Sequence, residues 1–290
     1  MLTNTRTAPD IPLSRLLTRP LSYESFREHL WALTERYSCC RLQTVGQSAG
    51  GRSLYAVSLG EEGAVPALVY AGGFSPSDWL MSAVLLRFLE EYAVLLAEGE
   101  RLYRIHLPVL YTRRRICVLP MANPDAFADQ PDTAATEPDY RNGAGAEIPA
   151  YFSAAETHPV EKCPESAAIR QYLLWQSPDL LCVFGTGEEN RLTIPTQPSS
   201  RSEVTGRLLA RMLSARVTLS ETPHAEEEPL SAIPAWYGTE SGCPSCLVTA
   251  EDTGTEDCFL SAWAGLREML FTAPLLVPEH GHRPAGTEEK

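Results

Sequence analysis

Polar side chains stand where apolar segments of this chain end, and their types decide what chemistry they could support. Ser75 and Asp78 follow one such segment, and Thr249 and Glu251 close another. Metal-assisted hydrolysis needs several nitrogen, sulfur or carboxylate ligands around one ion, together with a general base. A serine hydroxyl is a poor zinc ligand at neutral pH, and threonine is a poor proton acceptor. These residues by themselves do not supply such a set.

The elements that would position these side chains alternate along the chain. The predicted strands are 54–59, 67–71, 115–120, 180–184 and 246–250, and the predicted helices are 22–37, 78–96, 165–176, 204–215 and 258–270. Ser22 is the predicted N-cap of the first helix. The alternation predicts an α/β protein with helices on both faces of one sheet. Its cleft is expected at the carboxyl ends of the central strands, near Ser75, Asp125, Gly185 and Thr249.

The 290 residues, 44% of them hydrophobic, suffice for one large domain with a substantial core. The polar residues 1–20, which prolines interrupt, are predicted to be an N-terminal extension, and 278–290 to be a loose tail. Between them, 21–277 is predicted to form the single domain. Within it, 126–163 is rich in Ala, Pro, Asp and Gly and is predicted to be a long surface loop.

The formal net charge of −13 comes from 37 acidic and 24 basic residues. Such a balance disfavours binding to phosphate backbones and to anionic membranes. A membrane span needs about 20 apolar residues in a row, and no such stretch occurs. Residues 1–20 also lack the apolar core of a signal peptide. We therefore expect no nucleic-acid or membrane partner and a cytoplasmic location, while the oligomeric state stays open.

The eight cysteines are unevenly spaced, which favours reduced structural thiols over a disulfide framework. Cys243 and Cys246 have the spacing of a metal or redox motif, but no second cysteine or histidine pair completes a zinc site. Cys39 and Cys40 are adjacent, and we predict that they are poorly spaced for joint ligation. The sequence thus predicts no thiol-based metal site.

Five segments, in matching order and spacing, resemble the zinc carboxypeptidase family. The likeness is closest to its bacterial branch that cuts γ-D-glutamyl-diaminopimelate bonds in cell-wall peptides. The segments are GQSAGGRSLYAVSLG at 46–60, GFSPSDW at 73–79, PMANPDA at 120–126, PESAA at 164–168 and GCPSCLVT at 242–249. This resemblance implies a three-layer α/β/α fold around a mixed sheet of about eight strands.

In the resembled family, His, Glu and His hold one zinc ion, and a glutamate activates the metal-bound water. The resemblance places the three ligand positions at Ser75, Asp78 and Gly185, and the base at Thr249. All four reactive side chains are therefore replaced. No zinc ion or other cofactor is expected in this chain.

Five further positions are possible pocket residues around the degenerate site. Glu147 corresponds to an Asp of the family that orients the first zinc histidine. Arg141 is the nearest remaining cation that could bind an anion. The other three are acidic residues close to strand ends: Asp125, Glu188 and Glu251.

Two principal hypotheses follow from these replacements. In the first, the chain is a catalytically inactive carboxypeptidase-like protein whose remnant cleft binds a peptide, a small ligand or a partner protein. In the second, it is an active metallopeptidase with a rearranged site, built from Asp78, Glu188 or Glu251 and a loop residue such as His158. A purely structural or assembly role is the third possibility.

Overall fold

A computed structural model describes residues 21–64, 67–128, 138–152, 160–187, 190–194, 218–221, 228–252 and 258–277. The predicted helix 204–215, the extension 1–20 and the tail 278–290 lie outside these residues. In the described part the elements run in the order α1 (Tyr23–Arg36), β1 (Arg41–Gln47), β2 (Ser53–Leu59), β3 (Ala67–Ala71), α2 (Trp79–Ala97), β4 (Arg101–Leu102), β5 (Ile105–His106), α3 (Leu107–Arg113), β6 (Arg115–Leu119), α4 (Pro164–Gln176), β7 (Leu180–Gly187), β8 (Arg191–Ile194), β9 (Thr218–Glu221), α5 (Ala232–Ser241), β10 (Ser245–Glu251) and α6 (Cys258–Thr272).

Eight strands form one mixed sheet in the order β1-β2-β6-β3-β7-β10-β8-β9. The central strands β6, β3, β7 and β10 run parallel, so their carboxyl ends lie at one edge of the sheet. On the flanks, β1, β2 and β6 pair antiparallel, and β8 is antiparallel to β10. Ala71 of β3 lies opposite Val183 of β7, and Gly185 lies opposite Thr249 of β10. The predicted site positions of three strands therefore meet at this edge.

Side chains of the central strands alternate between two cores, one on each face of the sheet. On β3, Leu68 and Tyr70 pack with α1, α2, α3 and α6, whereas Val69 and Ala71 pack with α4 and α5. Because helices cover both faces, every residue of this strand is buried. The predicted three-layer α/β/α fold with about eight strands is confirmed.

Two helices show how local sequence sets the element boundaries. α1 begins after Ser22, whose hydroxyl accepts a hydrogen bond from the Ser25 N–H at 3.3 Å, as its predicted N-cap role requires. α2 has 19 residues and is buried over most of its surface, because the sheet and α6 enclose it. In the described part of the chain, no helix is long and apolar enough to cross a membrane.

The sequence-based prediction was wrong in several places. It missed β1, the segment from β4 to α3, β8, β9 and α5, and it ended the strand now seen as β7 at residue 184, three residues before Gly187. The stretch 126–163 was predicted to be a surface loop, but Tyr140, Ile148 and Phe152 within it are buried in the second core. Apolar residues too widely spaced to show a period still anchor that stretch to the sheet. Residues 129–137 and 153–159 of it lie outside the described part.

The Asp125 carboxylate ties the turn between β1 and β2 to the segment that follows β6. It accepts hydrogen bonds from the Ser48 hydroxyl at 2.6 Å, the Gly50 N–H at 2.7 Å and the Gly143 N–H at 3.3 Å. The Arg52 guanidinium adds an ion pair at 2.9 Å. Burial raises the pKa of Asp125, but the hydrogen bonds and the charge of Arg52 outweigh it and hold the pKa below its ordinary value.

A second carboxylate, that of Glu165 at the start of α4, fastens the same turn from the other side. Its two oxygens accept hydrogen bonds from the Ala49 N–H and from the Asn142 side-chain amide, both at 2.8 Å. Glu165 is fully buried, so these donors compensate the loss of hydration. Three of the segments that resemble the family therefore stabilise the fold.

We predict that Asp125→Ala lowers the free energy of unfolding by about 3 kcal/mol, since it leaves Arg52 and several N–H donors without their shared acceptor. Urea unfolding measures the change. Asp139→Ala is the matched control, because the Asp139 side chain is 58% exposed and lies 4.0 Å from Arg141; it should cost less than about 1 kcal/mol. Equal losses in the two variants would contradict the structural role of Asp125.

Candidate functional site

The first predicted ligand position, Ser75, belongs to the turn that joins β3 to α2. Its hydroxyl accepts hydrogen bonds from the Ser77 N–H at 3.3 Å and the Asp139 N–H at 2.9 Å. Its own N–H donates to the Asp78 carboxylate at 3.1 Å, which completes a capping box. Ser75 is fully buried. The hydroxyl is thus committed to holding the turn.

Asp78, at the second ligand position, bridges the ends of two neighbouring parallel strands. Its Oδ1 accepts hydrogen bonds from the Thr186 N–H at 2.8 Å and the Thr186 hydroxyl at 2.9 Å, while Oδ2 accepts the bond from Ser75. The carboxyl group is fully buried, and burial raises its pKa to about 6 although the bonds from Thr186 act in the opposite direction. Both of its oxygens are therefore engaged by protein donors.

At the third ligand position, a leucine occupies the space that an imidazole would need. A Cβ atom added to Gly185 would lie 2.6 Å from Leu230 Cδ1 and 3.6 Å from Asp78 Oδ1. Leu230 is fully buried and lies in the 3-10 turn Pro229–Ser231 that precedes α5. Because real Cβ atoms do not approach a neighbour this closely, no side chain fits at Gly185 unless Leu230 moves.

Thr249, at the position of the general base, packs into the sheet edge. It is 6% exposed, and its hydroxyl donates to the Arg191 carbonyl at 3.5 Å. Glu251 ends β10 two residues later and is exposed, with its N–H donating to the Asn190 side-chain oxygen at 3.2 Å. Thr249 offers no group that can accept a proton usefully at neutral pH.

Glu228 is a functional candidate that sequence reasoning missed. Burial and the charge of Asp78 raise its pKa to about 7, although the charge of Arg191 acts in the opposite direction. Burial and the charges of Asp78 and Glu228 also raise the pKa of Tyr140. Asp78, Tyr140, Arg191 and Glu228 are therefore close enough to influence one another electrostatically. Neither Glu228 nor Leu230 lies in a recognisable motif, and only the packing of their loop onto the sheet edge reveals them.

The remaining predicted pocket residues lie apart from this space or outside the described part. Arg141 and Glu147 have side chains 60% and 59% exposed and approach each other to 4.0 Å, which makes them a solvent-exposed ion pair. Asp125 is the acceptor in the turn described above. Glu188 and His158 lie outside the described residues.

These residues do not fit the zinc ion that the resemblance would supply. Zinc requires about four nitrogen, sulfur or carboxylate donors in tetrahedral arrangement. Among the described residues, no three His, Cys, Asp or Glu side chains are grouped so that they could hold a metal ion. The one carboxylate at a ligand position, Asp78, already accepts three hydrogen bonds, and an imidazole at position 185 would fit only if Leu230 moved.

We predict that Asp78 makes the stability of the protein fall as the pH rises. Its folded pKa of about 6 lies above the ordinary value of 3.8, so the protonated carboxyl favours the folded state. This contribution is fully present below about pH 4 and is lost as the pH rises through 6, a change of roughly 3 kcal/mol.

Urea unfolding of wild type and Asp78→Asn between pH 4 and pH 8 tests this. The free energy of unfolding of wild type should fall more steeply than that of the variant, and the difference should level off above about pH 7. The exposed Asp139→Asn is the control and should follow wild type. Parallel curves for wild type and Asp78→Asn would disprove the assignment.

Comparison with known proteins supports the architecture. The model of the zinc carboxypeptidase family matches residues 27–134, a range that includes Ser75 and Asp78 but neither Gly185 nor Thr249. No curated protein matches the chain.

Among solved structures, a metallo-carboxypeptidase from Burkholderia cenocepacia is similar at 16% identity, with a TM-score of 0.66 over 89% of this chain and 69% of that one. The metallo-carboxypeptidase from Pseudomonas aeruginosa in complex with (2-guanidinoethylmercapto)succinic acid gives 16% identity, a TM-score of 0.68 and the same coverage. The carboxypeptidase A from Helicoverpa armigera is similar at 13% identity, with a TM-score of 0.65 over 90% of this chain and 74% of that one. At these identities the likeness shows the fold alone: this chain has the fold of the metallocarboxypeptidases.

Proposed function

We propose that the chain is a catalytically inactive member of the zinc carboxypeptidase family, whose altered cleft binds a peptide, a small ligand or a partner protein. The observation that carries the proposal is the contact between Gly185 and Leu230. A missing ligand leaves a gap that a neighbouring donor could fill, but here an apolar side chain fills it. Hydrolysis by the resembled mechanism would require a donor in that place.

The other positions support the same conclusion. Ser75 and Asp78 form hydrogen bonds that hold the turn and the strand ends together, so these groups already have a structural role. Thr249 cannot serve as a general base. Since each position has a structural role, restoring a metal site would require several simultaneous changes rather than one.

An active metallopeptidase with a rearranged site is the second candidate. The electrostatic coupling of Asp78 and Glu228 favours it, because two carboxylates near each other attract a cation. A site with only oxygen donors would prefer Mg²⁺ or Mn²⁺ to zinc. Against it, both oxygens of Asp78 are engaged, and the nearby charge of Arg191 opposes a cation.

Near the carboxyl ends of the central strands, the charge of Arg191 acts on the carboxyl group of Glu228, whose pKa is raised to about 7, chiefly by burial. We infer that the bound molecule carries complementary polar groups, as a peptide backbone or its termini would. The resemblance to the branch that acts on γ-D-glutamyl-diaminopimelate peptides makes such a peptide the first ligand to test. A cytoplasmic location is part of the proposal, and the uneven spacing of the eight cysteines, which favours reduced thiols over a disulfide framework, supports it.

We predict that Gly185→Ala costs about 1–3 kcal/mol of unfolding free energy, because its Cβ must displace Leu230. The control is Gly187→Ala in the same strand, where the nearest atom would be Thr249 Cβ at 3.3 Å, and which should cost less. In a Leu230→Ala background the cost of Gly185→Ala should shrink by about 1 kcal/mol or more. An equal cost in both backgrounds, measured by urea unfolding, would show that the leucine does not fill this space.

We also predict that the purified protein, after dialysis against zinc, retains no stoichiometric metal and hydrolyses neither γ-glutamyl-diaminopimelate peptides nor C-terminal peptide bonds. Metal analysis and a peptidase assay measure the two properties. About one zinc per chain with chelator-sensitive hydrolysis would refute the proposal. Turnover that depends on Mn²⁺ or Mg²⁺ and is lost in both Asp78→Ala and Glu228→Gln would instead establish the rearranged site.

A further inference from the structure

The turn between α1 and β1 brings two adjacent thiols into contact. Cys39 Sγ lies 4.0 Å from Cys40 Sγ, although adjacent side chains of an extended strand would point to opposite faces. The turn is fixed by a hydrogen bond from the Cys40 N–H to the Tyr37 carbonyl at 3.0 Å. The sequence had predicted that these residues are poorly spaced for joint ligation, and the geometry reverses that interpretation.

The separation of the two sulfur atoms suits one bridging ion better than a bond between them. A disulfide bond is about 2.05 Å long, so forming one would require the sulfurs to approach by about 2 Å. Two metal–sulfur bonds of about 2.3 Å reach across 4.0 Å without any movement, at a sulfur–metal–sulfur angle of about 120°. That angle is the one a three-coordinate ion adopts, and it leaves a third position for an exogenous ligand.

The surroundings give the pair access from solvent and a favourable charge. Cys39 is half-buried, whereas Cys40 is 4% exposed and packs against the core beneath it. An ion can therefore reach the pair past Cys39. The Arg41 guanidinium acts electrostatically on Cys39, and its positive charge would offset the net negative charge of one monovalent cation held by two thiolates.

A second pair of cysteines in the same chain has sulfur atoms that are close together but that a metal ion cannot reach. Cys182 of β7 and Cys246 of β10 lie opposite each other with their sulfurs 3.6 Å apart, closer than the first pair. Both are at most 1% exposed, within the sheet and beneath its helices. An ion has no path to them, so they form a control within the same molecule.

We propose that Cys39 and Cys40 form a binding site for a soft monovalent metal ion, of which Cu(I) is the representative. Thiolates select soft ions, and a two-thiolate site with one open position matches the low coordination numbers that Cu(I) accepts. The site is independent of the proposed function, because it lies at the start of β1, whereas the cleft lies at the carboxyl ends of the central strands.

The test is a competition for Cu(I), supplied as its bicinchoninate complex to the reduced full-length protein. Wild type should withdraw about one Cu(I) per chain. Cys39→Ser and Cys40→Ala should each weaken the affinity by about 100-fold, because one sulfur remains and the chelate is lost. Cys182→Ala and Cys246→Ala should bind copper as wild type does.

A second measurement needs no variant. In wild type, copper should protect Cys39 from alkylation by iodoacetamide, as read by mass spectrometry, while the labelling of half-buried Cys243 stays unchanged. The proposal fails if wild type takes no copper from the complex, if Cys39→Ser binds as tightly as wild type, or if Cys39 is alkylated equally with and without copper. Loss of binding only in the Cys182 and Cys246 variants would overturn it as well.

Discussion

The carboxylate of Asp78 connects the loop that follows β3 to the carboxyl end of the neighbouring strand β7. It binds the N–H of Ser75 in the turn after β3 and both the N–H and the hydroxyl of Thr186 near the end of β7. An ion placed between these strands would have to take the same oxygens. Because a buried carboxylate without partners costs several kcal/mol, these three hydrogen bonds give Asp78 a structural role, and they occupy most of the roughly four acceptor positions of its two oxygens.

Buried carboxylates in this structure stabilise the fold. Asp125 and Glu165 hold the turn between β1 and β2 with short hydrogen bonds. At the strand ends, by contrast, Thr249 packs into the sheet edge, and Leu230 Cδ1 would lie 2.6 Å from a Cβ atom added at Gly185. The stability of the fold rests on the two apolar cores and on such turn contacts, so it does not depend on any catalytic group.

The central part of the fold could be predicted from the sequence, because the signals that indicate helices and strands are local. Apolar runs, the Ser22 cap and the motif order predicted most of the described helices, the four central parallel strands and the layers in which they lie. The sequence did not predict that Leu230 lies close to Gly185 or that Glu228 interacts with Asp78. Leu230 and Glu228 belong to a loop more than forty residues away in the chain from Gly185 and Asp78. No period or motif encodes such an approach. The buried anchors Tyr140 and Ile148 escaped for the same reason, since isolated apolar residues in a polar stretch show no pattern.

The cleft and the Cys39–Cys40 pair differ in the kind of metal ion that their donor atoms prefer, as well as in their position in the fold. The cleft offers oxygen donors at the carboxyl ends of β3, β7 and β10, whereas the thiols stand at the amino end of the edge strand β1, three strands from β3. With neighbouring strands about 4.8 Å apart, the sites are separated by roughly 14 Å or more. Hard ions prefer oxygen and soft ions prefer thiolate. Copper bound by this protein would therefore say nothing for or against hydrolysis, and manganese or magnesium bound in the cleft would leave the thiols unaffected.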